Sequence, residues 1–331
     1  MAETDQKDDI LDLVDIATLM IYEYSTIEPR FQHAKLRDVA YPGEKSIMNM
    51  SLAENWIPNA RTVYVFDQVP GSDLSKVDRP ENILPEESKR PDKLKRLTAK
   101  QLETVYYRAR AHDGCFKAIA LLQHFFDLYP PSTQLRIRHG PKGKEPGKEY
   151  ITTIDRRAIV EDDFQFPKNC TYTAVIKNPK TMEARAYVCG HEPTMAHAIM
   201  GFSSPEAAMT QSFLDLSSIQ FGDAGRGPGE KGKGLFALDT PEEFQARVMV
   251  LFGGNTQPKT NERIGSTPDD EWLKQVAQKV KERWEKREEE KWCGHCGGPA
   301  ASKCSKCGEA WFCSKEHMAM AWPFHKGYCG K

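Results

Sequence analysis

The chain has 331 residues, room for two or three domains at ~100–200 residues each. With 46 basic against 47 acidic side chains, it lacks the one-sided charge of a nucleic-acid-coating protein or an acidic tail. No apolar run reaches the ~20 residues of a membrane helix, and residues 1–9 are polar and acidic without a signal peptide, so an intracellular chain in cytoplasm or nucleus is expected.

Ile10, Leu13, Val14, Ala17 and Ile21 fall at three- and four-residue steps and predict an amphipathic helix over 10–24. Residues 61–69 are β-branched and aromatic, which favours a strand. Proline and charge dominate 70–97, read as a long surface loop. Its basic cluster (Lys89, Arg90, Lys93, Lys95 and Arg96) is diluted by Glu86, Glu87 and Asp92 and reads as solvated. Thr98 opens a helical pattern towards Leu128, broken at His112-Asp113-Gly114 and stopped by Pro130-Pro131. Its second half, with Phe116, Ile119, Leu122, Phe125 and Phe126, is apolar enough for the core.

Strands are predicted over 134–138 and 149–154, around a basic loop, and over 171–177 and 182–188, around the turn Asn178-Pro179-Lys180-Thr181. Helices are predicted over 205–219 and 241–252. The second has Thr240 as N-cap, Pro241 at the first helical position and Glu243 completing a capping box. Between them, residues 222–234 are too glycine-rich for regular structure. A polar linker over 253–266 leads to a helix from Thr267 to about Trp292, with Trp272, Val276, Val280 and Trp284 on one stripe and charge elsewhere. Without a βαβ rhythm, residues 1–255 are expected to form an α+β domain, followed by a linker and charged helix over 256–292.

Two motifs imitate catalytic ones. Gly227-x4-Gly232-Lys233 resembles a phosphate-binding loop, but Gly234 stands where a Ser or Thr belongs. His191-Glu192 with His197 imitates a zinc-protease motif, but the second His should fall at 195, and Pro193 breaks the helix. His191 and His197 read as turn or surface residues. Cys115, Cys170 and Cys189 have neither paired spacing nor a histidine adjacent in sequence, and read as small buried residues.

The other six cysteines crowd into the last 39 residues, with the spacing Cys293-x2-Cys296-x7-Cys304-x2-Cys307-x5-Cys313-x3-His317-x7-His325-x3-Cys329. Eight such ligands make two complete tetrahedral sets, as structural Zn²⁺ requires, with no position left open for chemistry. Forty residues bury too little apolar surface to fold unaided, so metal must supply the stability. Residues 292–331 hold five lysines, no arginine and two glutamates; six thiolates and two zinc ions bring them near neutrality, which argues against nucleic acid as the partner. His295, inside the first pair, reads as a spectator.

The ligand order, with Phe312 before Cys313 and Trp322 before His325, resembles the MYND-type zinc finger over about residues 293–329. The resemblance implies interleaved sites: Cys293, Cys296, Cys313 and His317 on one zinc, Cys304, Cys307, His325 and Cys329 on the other. It departs from the family at His317, usually Cys, at Met318, usually Gln, and at Ala321, usually His. It also implies a shallow groove for Pro- and Leu-containing peptide segments, with Ser305, Met318 and Trp322 at groove positions; Met318 lacks the amide that would bond a partner backbone. Nothing resembles the Asn-His-x-Cys motif of SET methyltransferases, which also carry MYND fingers. The chain therefore reads as a non-enzymatic adaptor, with transcriptional or developmental regulation implied by the resemblance. The alternative is an enzyme or small-ligand binder in residues 1–255, with the finger as docking accessory.

Overall fold

The computed structural model describes residues 10–48, 50–51, 61–68, 77–143, 145–165, 172–190, 192, 194–227, 234–253, 258–265 and 270–330. Its helices are α1 Leu13–Ile27, α2 Asp92–Lys95, α3 Ala99–Arg110, α4 Cys115–Phe126, α5 Pro241–Phe252, α6 Asp270–Glu285 and α7 Lys315–His325. Helix starts follow side-chain capping. Asp12 Oδ1 accepts from Val14 N (3.1 Å) and Asp15 N (3.3 Å) ahead of α1, and Thr98 and Thr240 make reciprocal capping boxes with Gln101 and Glu243. The expected break between α3 and α4 falls at His112–Gly114, where Asp113 takes a left-handed φ of 49°.

Among the described residues there are five sheets, two of them two-stranded ribbons, 46–47 with 50–51 and 302–303 with 311–312. Leu11–Asp12 pairs in parallel with Gln134–Arg138, which pairs antiparallel with Glu149–Thr153. A four-stranded sheet orders 184–189, 172–177, 62–67 and 35–40, its central pair parallel. A five-stranded antiparallel sheet orders 237–239, 212–215, 194–202, 157–165 and 259–261. The α+β expectation is met.

Several local expectations are not. No helix spans 205–219; Ser212–Asp215 is a strand held between Thr194–Phe202 and Ala237–Asp239, so pairing on both edges overrides local propensity. The nine-residue strands Arg157–Gln165 and Thr194–Phe202 were not foreseen. Within the expected linker, Lys259–Asn261 adds an edge strand to this sheet. The surface-loop reading of 70–97 fails where Asp78, Ile83 and Leu94 are buried: Asp78 Oδ2 accepts from Arg110 Nη2 (3.1 Å) and from His33 N (2.7 Å). The basic cluster there stays largely exposed, as expected of solvated charge, with Lys89–Glu86 (2.7 Å) and Lys95–Asp92 (3.0 Å) paired inside the segment and Lys93 paired with Glu44 outside it. Helix α6 stops at Glu285, earlier than expected, and packs on α1 and α4 through Leu273, Val276, Ala277, Val280 and Trp284. The expected helix start at Thr267 and residues 228–233 of the glycine-rich loop lie outside the described residues, as do Cys170 and His191, while residues 222–225 of that loop are not irregular but end a 3-10 helix over Ser218–Gly225.

One apolar core runs from Leu11 through α1, α3, α4 and α6 to Cys293, Cys296, Phe312 and Cys329. The C-terminal segment is therefore packed into the body of the molecule.

Candidate metal centre

Each Cys-x2-Cys pair is folded the same way. Gly297 N donates to Cys293 O (2.8 Å) and Gly308 N to Cys304 O (2.9 Å). Both glycines have left-handed φ, 75° and 73°, the conformation that closes the turn and aims both thiols inward. The remaining ligands come from α7 and its flanks. Ser314 Oγ accepts from His317 N (3.1 Å) and starts the helix, which places Cys313 and His317 one turn apart and carries His325 at its last position.

The eight predicted ligands assemble into two clusters, Cys293, Cys296, Cys313 and His317 in the first and Cys304, Cys307, His325 and Cys329 in the second. Within each, the ligand atoms lie within 4.8 Å of one another. A tetrahedron with ~2.3 Å Zn–S bonds has edges of about 3.8 Å. Cys296 Sγ–Cys313 Sγ and Cys304 Sγ–Cys329 Sγ are both 3.9 Å, and Cys293 Sγ–His317 Nδ1 and Cys307 Sγ–His325 Nε2 both 3.6 Å. Cys313 Sγ–His317 Nδ1 is tighter at 3.0 Å. Donor number, type and spacing fit two structural zinc ions, paired in the interleaved order that the resemblance implied.

His295 lies outside both four-ligand clusters, yet with Glu103 and His317 it forms a third group whose ligand atoms lie within 4.8 Å of one another. Buried, it places Nε2 2.8 Å from Glu103 Oε2 on α3, and the same oxygen lies 3.5 Å from His317 Nε2, the ring nitrogen turned away from the first cluster. A carboxylate on the far nitrogen of a ligating histidine fixes its orientation and raises its basicity. Arg226 Nη2 holds the other Glu103 oxygen (2.8 Å). Burial opposes the Glu103 charge, but His295, Arg226 and His317 hold its carboxyl below the usual range.

Backbone contacts also fix the finger to the body. A Cβ on Gly297 would sit 2.4 Å from Thr18 O on α1, and Arg283 of α6 donates to Gly297 O (2.8 Å) while pairing with Glu23 (2.7 Å). Tyr328 Oη donates to His139 O (2.7 Å). Along this seam lies a groove of about 580 Å³, lined among others by Asp15, Arg138, Trp292, Trp311 and Tyr328. Burial and the adjacent Asp12, offset in part by Arg138, push the Asp15 carboxyl up to about 6. The sequence reading did not find this groove, because its two walls lie nearly 300 residues apart in the chain.

Of the proposed partner-contacting residues, Met318 and Trp322 stand one turn apart on α7, 39% and 42% exposed, and Ser305 is exposed on the second Cys-x2-Cys loop. Trp322 also packs edge-on against the ligand His325, with ring centroids 5.7 Å apart.

One residue read as bland proves otherwise. His197 is not on a turn or the surface but buried on a central strand, its Nε2 2.9 Å from Asp215 Oδ2. Cys115 is buried as expected, its thiol donating to Ala196 O (3.6 Å).

Among the described residues, no helix is long and apolar enough to cross a membrane. No curated protein and no solved structure matches the chain. The MYND finger family model matches residues 293–329, the segment that holds both metal clusters.

Proposed function

We propose that the protein is an intracellular adaptor whose zinc-braced finger presents the outer face of α7 to a protein partner. The observation that carries this reading is the pairing of Met318 and Trp322, exposed one turn apart on a helix with no buried residue. Large apolar side chains left uncovered beside a rigid metal centre are what a shallow peptide site needs. A short Pro- and Leu-containing segment suits this surface, and the resemblance would add the exposed Ser305 to it. Met318 offers van der Waals contact but no amide hydrogen bond, so affinity would rest on the apolar anchors. A regulatory role in transcription or development is the setting implied by the finger's resemblance.

The test is titration of the zinc-loaded chain with fluorescent Pro/Leu peptides, comparing wild type with Trp322→Ala. Affinity falling about tenfold or more, with two zinc ions retained, supports the reading; a hot-spot tryptophan is worth ~2 kcal/mol or more. Unchanged affinity, or zinc lost along with binding, counts against it.

A further inference from the structure

Behind the first cluster, three more donors converge. Glu103, in the middle of α3, is buried, and its Oε2 faces His295 Nε2 at 2.8 Å and His317 Nε2 at 3.5 Å. The three atoms lie within 4.8 Å of one another. The two imidazole rings meet at 64° rather than stacked, with 4.7 Å between centroids. The first Cys-x2-Cys turn supplies His295, α7 supplies His317, and the body supplies Glu103. This group therefore joins finger to body, where each cysteine-rich cluster draws on finger residues alone.

Orienting the zinc ligand His317 needs the Glu103 carboxylate and nothing more. It does not call for a second buried imidazole on the same oxygen. Charge points the same way. One zinc with the three thiolates of the first cluster leaves one negative charge, and Glu103, Arg226 and Asp223 together add another. Buried charge of this kind is paired or coordinates metal. Imidazole and carboxylate are zinc donors, and bonds of ~2.0–2.1 Å make tetrahedral edges of about 3.3 Å. The edges of 2.8 and 3.5 Å stand on either side of that length.

We propose that Glu103, His295 and His317 hold a third zinc ion, joined to the first through the His317 imidazole. His317 already turns Nδ1 to the first cluster, 3.0 Å from Cys313 Sγ and 3.6 Å from Cys293 Sγ. Its Nε2 becomes a donor to the third ion as its proton is released to solvent on metal entry. His295 gives the Nε2 lone pair and carries its own proton on Nδ1. Glu103 binds through Oε2, because Oε1 stays with Arg226 Nη2 (2.8 Å). Arg226 is in turn held by Thr104 Oγ1 (2.8 Å) and Asp223 Oδ1 (2.8 Å), which keeps the carboxylate from turning away.

Three protein ligands leave the fourth position of this ion to water, unlike the two closed cysteine sites. His295 and Gly294 also line a cavity of about 100 Å³ with Gly227, Gly234, Phe236 and Met320, which gives water and the ion a way in. With one protein ligand fewer and no thiolate, the third ion is the first to leave under a chelator. The site does not depend on the exposed face of α7, and either reading can fail alone.

The test loads the full chain with excess zinc or cobalt(II), removes unbound metal and counts the ions by elemental analysis. Wild type is expected to hold three equivalents, with thiolate-to-cobalt absorption complete after two. His295→Gln removes no ligand of either cysteine cluster, and should fall to two equivalents with that absorption unchanged. Glu103→Gln should lose the same equivalent at saturating metal, and decides if His295→Gln lacks wild-type helical circular dichroism. Two equivalents in wild type, a third that adds thiolate absorption, or three retained in a folded variant would overturn the proposal.

Discussion

The two zinc clusters share one turn geometry, but the body surrounds them differently. The first has Gly297 pressed against α1, Arg283 of α6 on its turn, and Glu103 of α3 behind its histidine. The second meets the body less directly: Cys304 and Cys329 join the same core and Tyr328 donates to His139 O (2.7 Å), but nothing lies within 4 Å of where a Cβ on Gly308 would be, and His325 is backed by Phe312 and Trp322 of the finger itself. Identical local chemistry thus has its turn pressed against the body in one place and open in the other.

Removing one ligand from each cluster should break this symmetry most. Structural zinc contributes on the order of 10 kcal/mol, and in the first cluster that stabilisation passes more directly to the body. Cys293→Ser should lower the melting temperature of the whole helical signal by about 10 °C or more. Cys304→Ser should release one zinc and leave the main transition within about 3 °C. Equal losses, read by circular dichroism and zinc analysis, would erase the distinction.

The two turn glycines sharpen it. Gly297→Ala meets both left-handed strain and the Thr18 carbonyl, and should cost about 3 kcal/mol or more. Gly308→Ala meets only the strain, about 1–2 kcal/mol. Denaturant unfolding of both variants measures the difference. Glu103→Gln should weaken zinc at the first cluster about 10–100-fold in chelator competition while sparing the second.

Acid and alkali act on different parts. The Glu103 carboxyl is held below its ordinary value, so its contribution is present above about pH 4.3 and disappears as pH falls through the lowered folded value. His197 has the opposite sign. Raised to about 10, it stabilises fully below its ordinary ~6.5, and that stability is lost as pH climbs towards 10. Denaturant titrations at pH 6, 8 and 10 should show this alkaline limb flattened in His197→Gln. The smallest stability effect belongs to Trp322→Ala, about 1 kcal/mol or less, because the ring is half exposed.

What was legible in the sequence was what chemistry encodes locally. Thr98 and Thr240 announce their helices, the Asp113-Gly114 break is readable three residues at a time, and Cys and His spacing sets the metal ligands. What failed depends on distant partners. Arg157–Gln165 carries Glu161, Asp162 and Asp163 and looks unlike a strand until its pairing with Thr194–Phe202 defines a face for it. Pro205 and the alanines after it imitate a helix start, but Ser212–Asp215 is claimed from both edges. Met318 and Trp322 could be placed from the finger's pattern alone. Glu103 behind His317 and the seam groove could not, since each joins residues hundreds apart.

The seating of Gly297 on Thr18 has a temporal consequence. Helix α1 leaves the ribosome early, while the surface that covers it is translated some tens of seconds later, at ~5–20 residues per second, and then needs metal to hold its shape. Until then one side of α1 is uncovered. A chain made without zinc would keep that side of α1 uncovered, a surface that chaperones and proteases recognise.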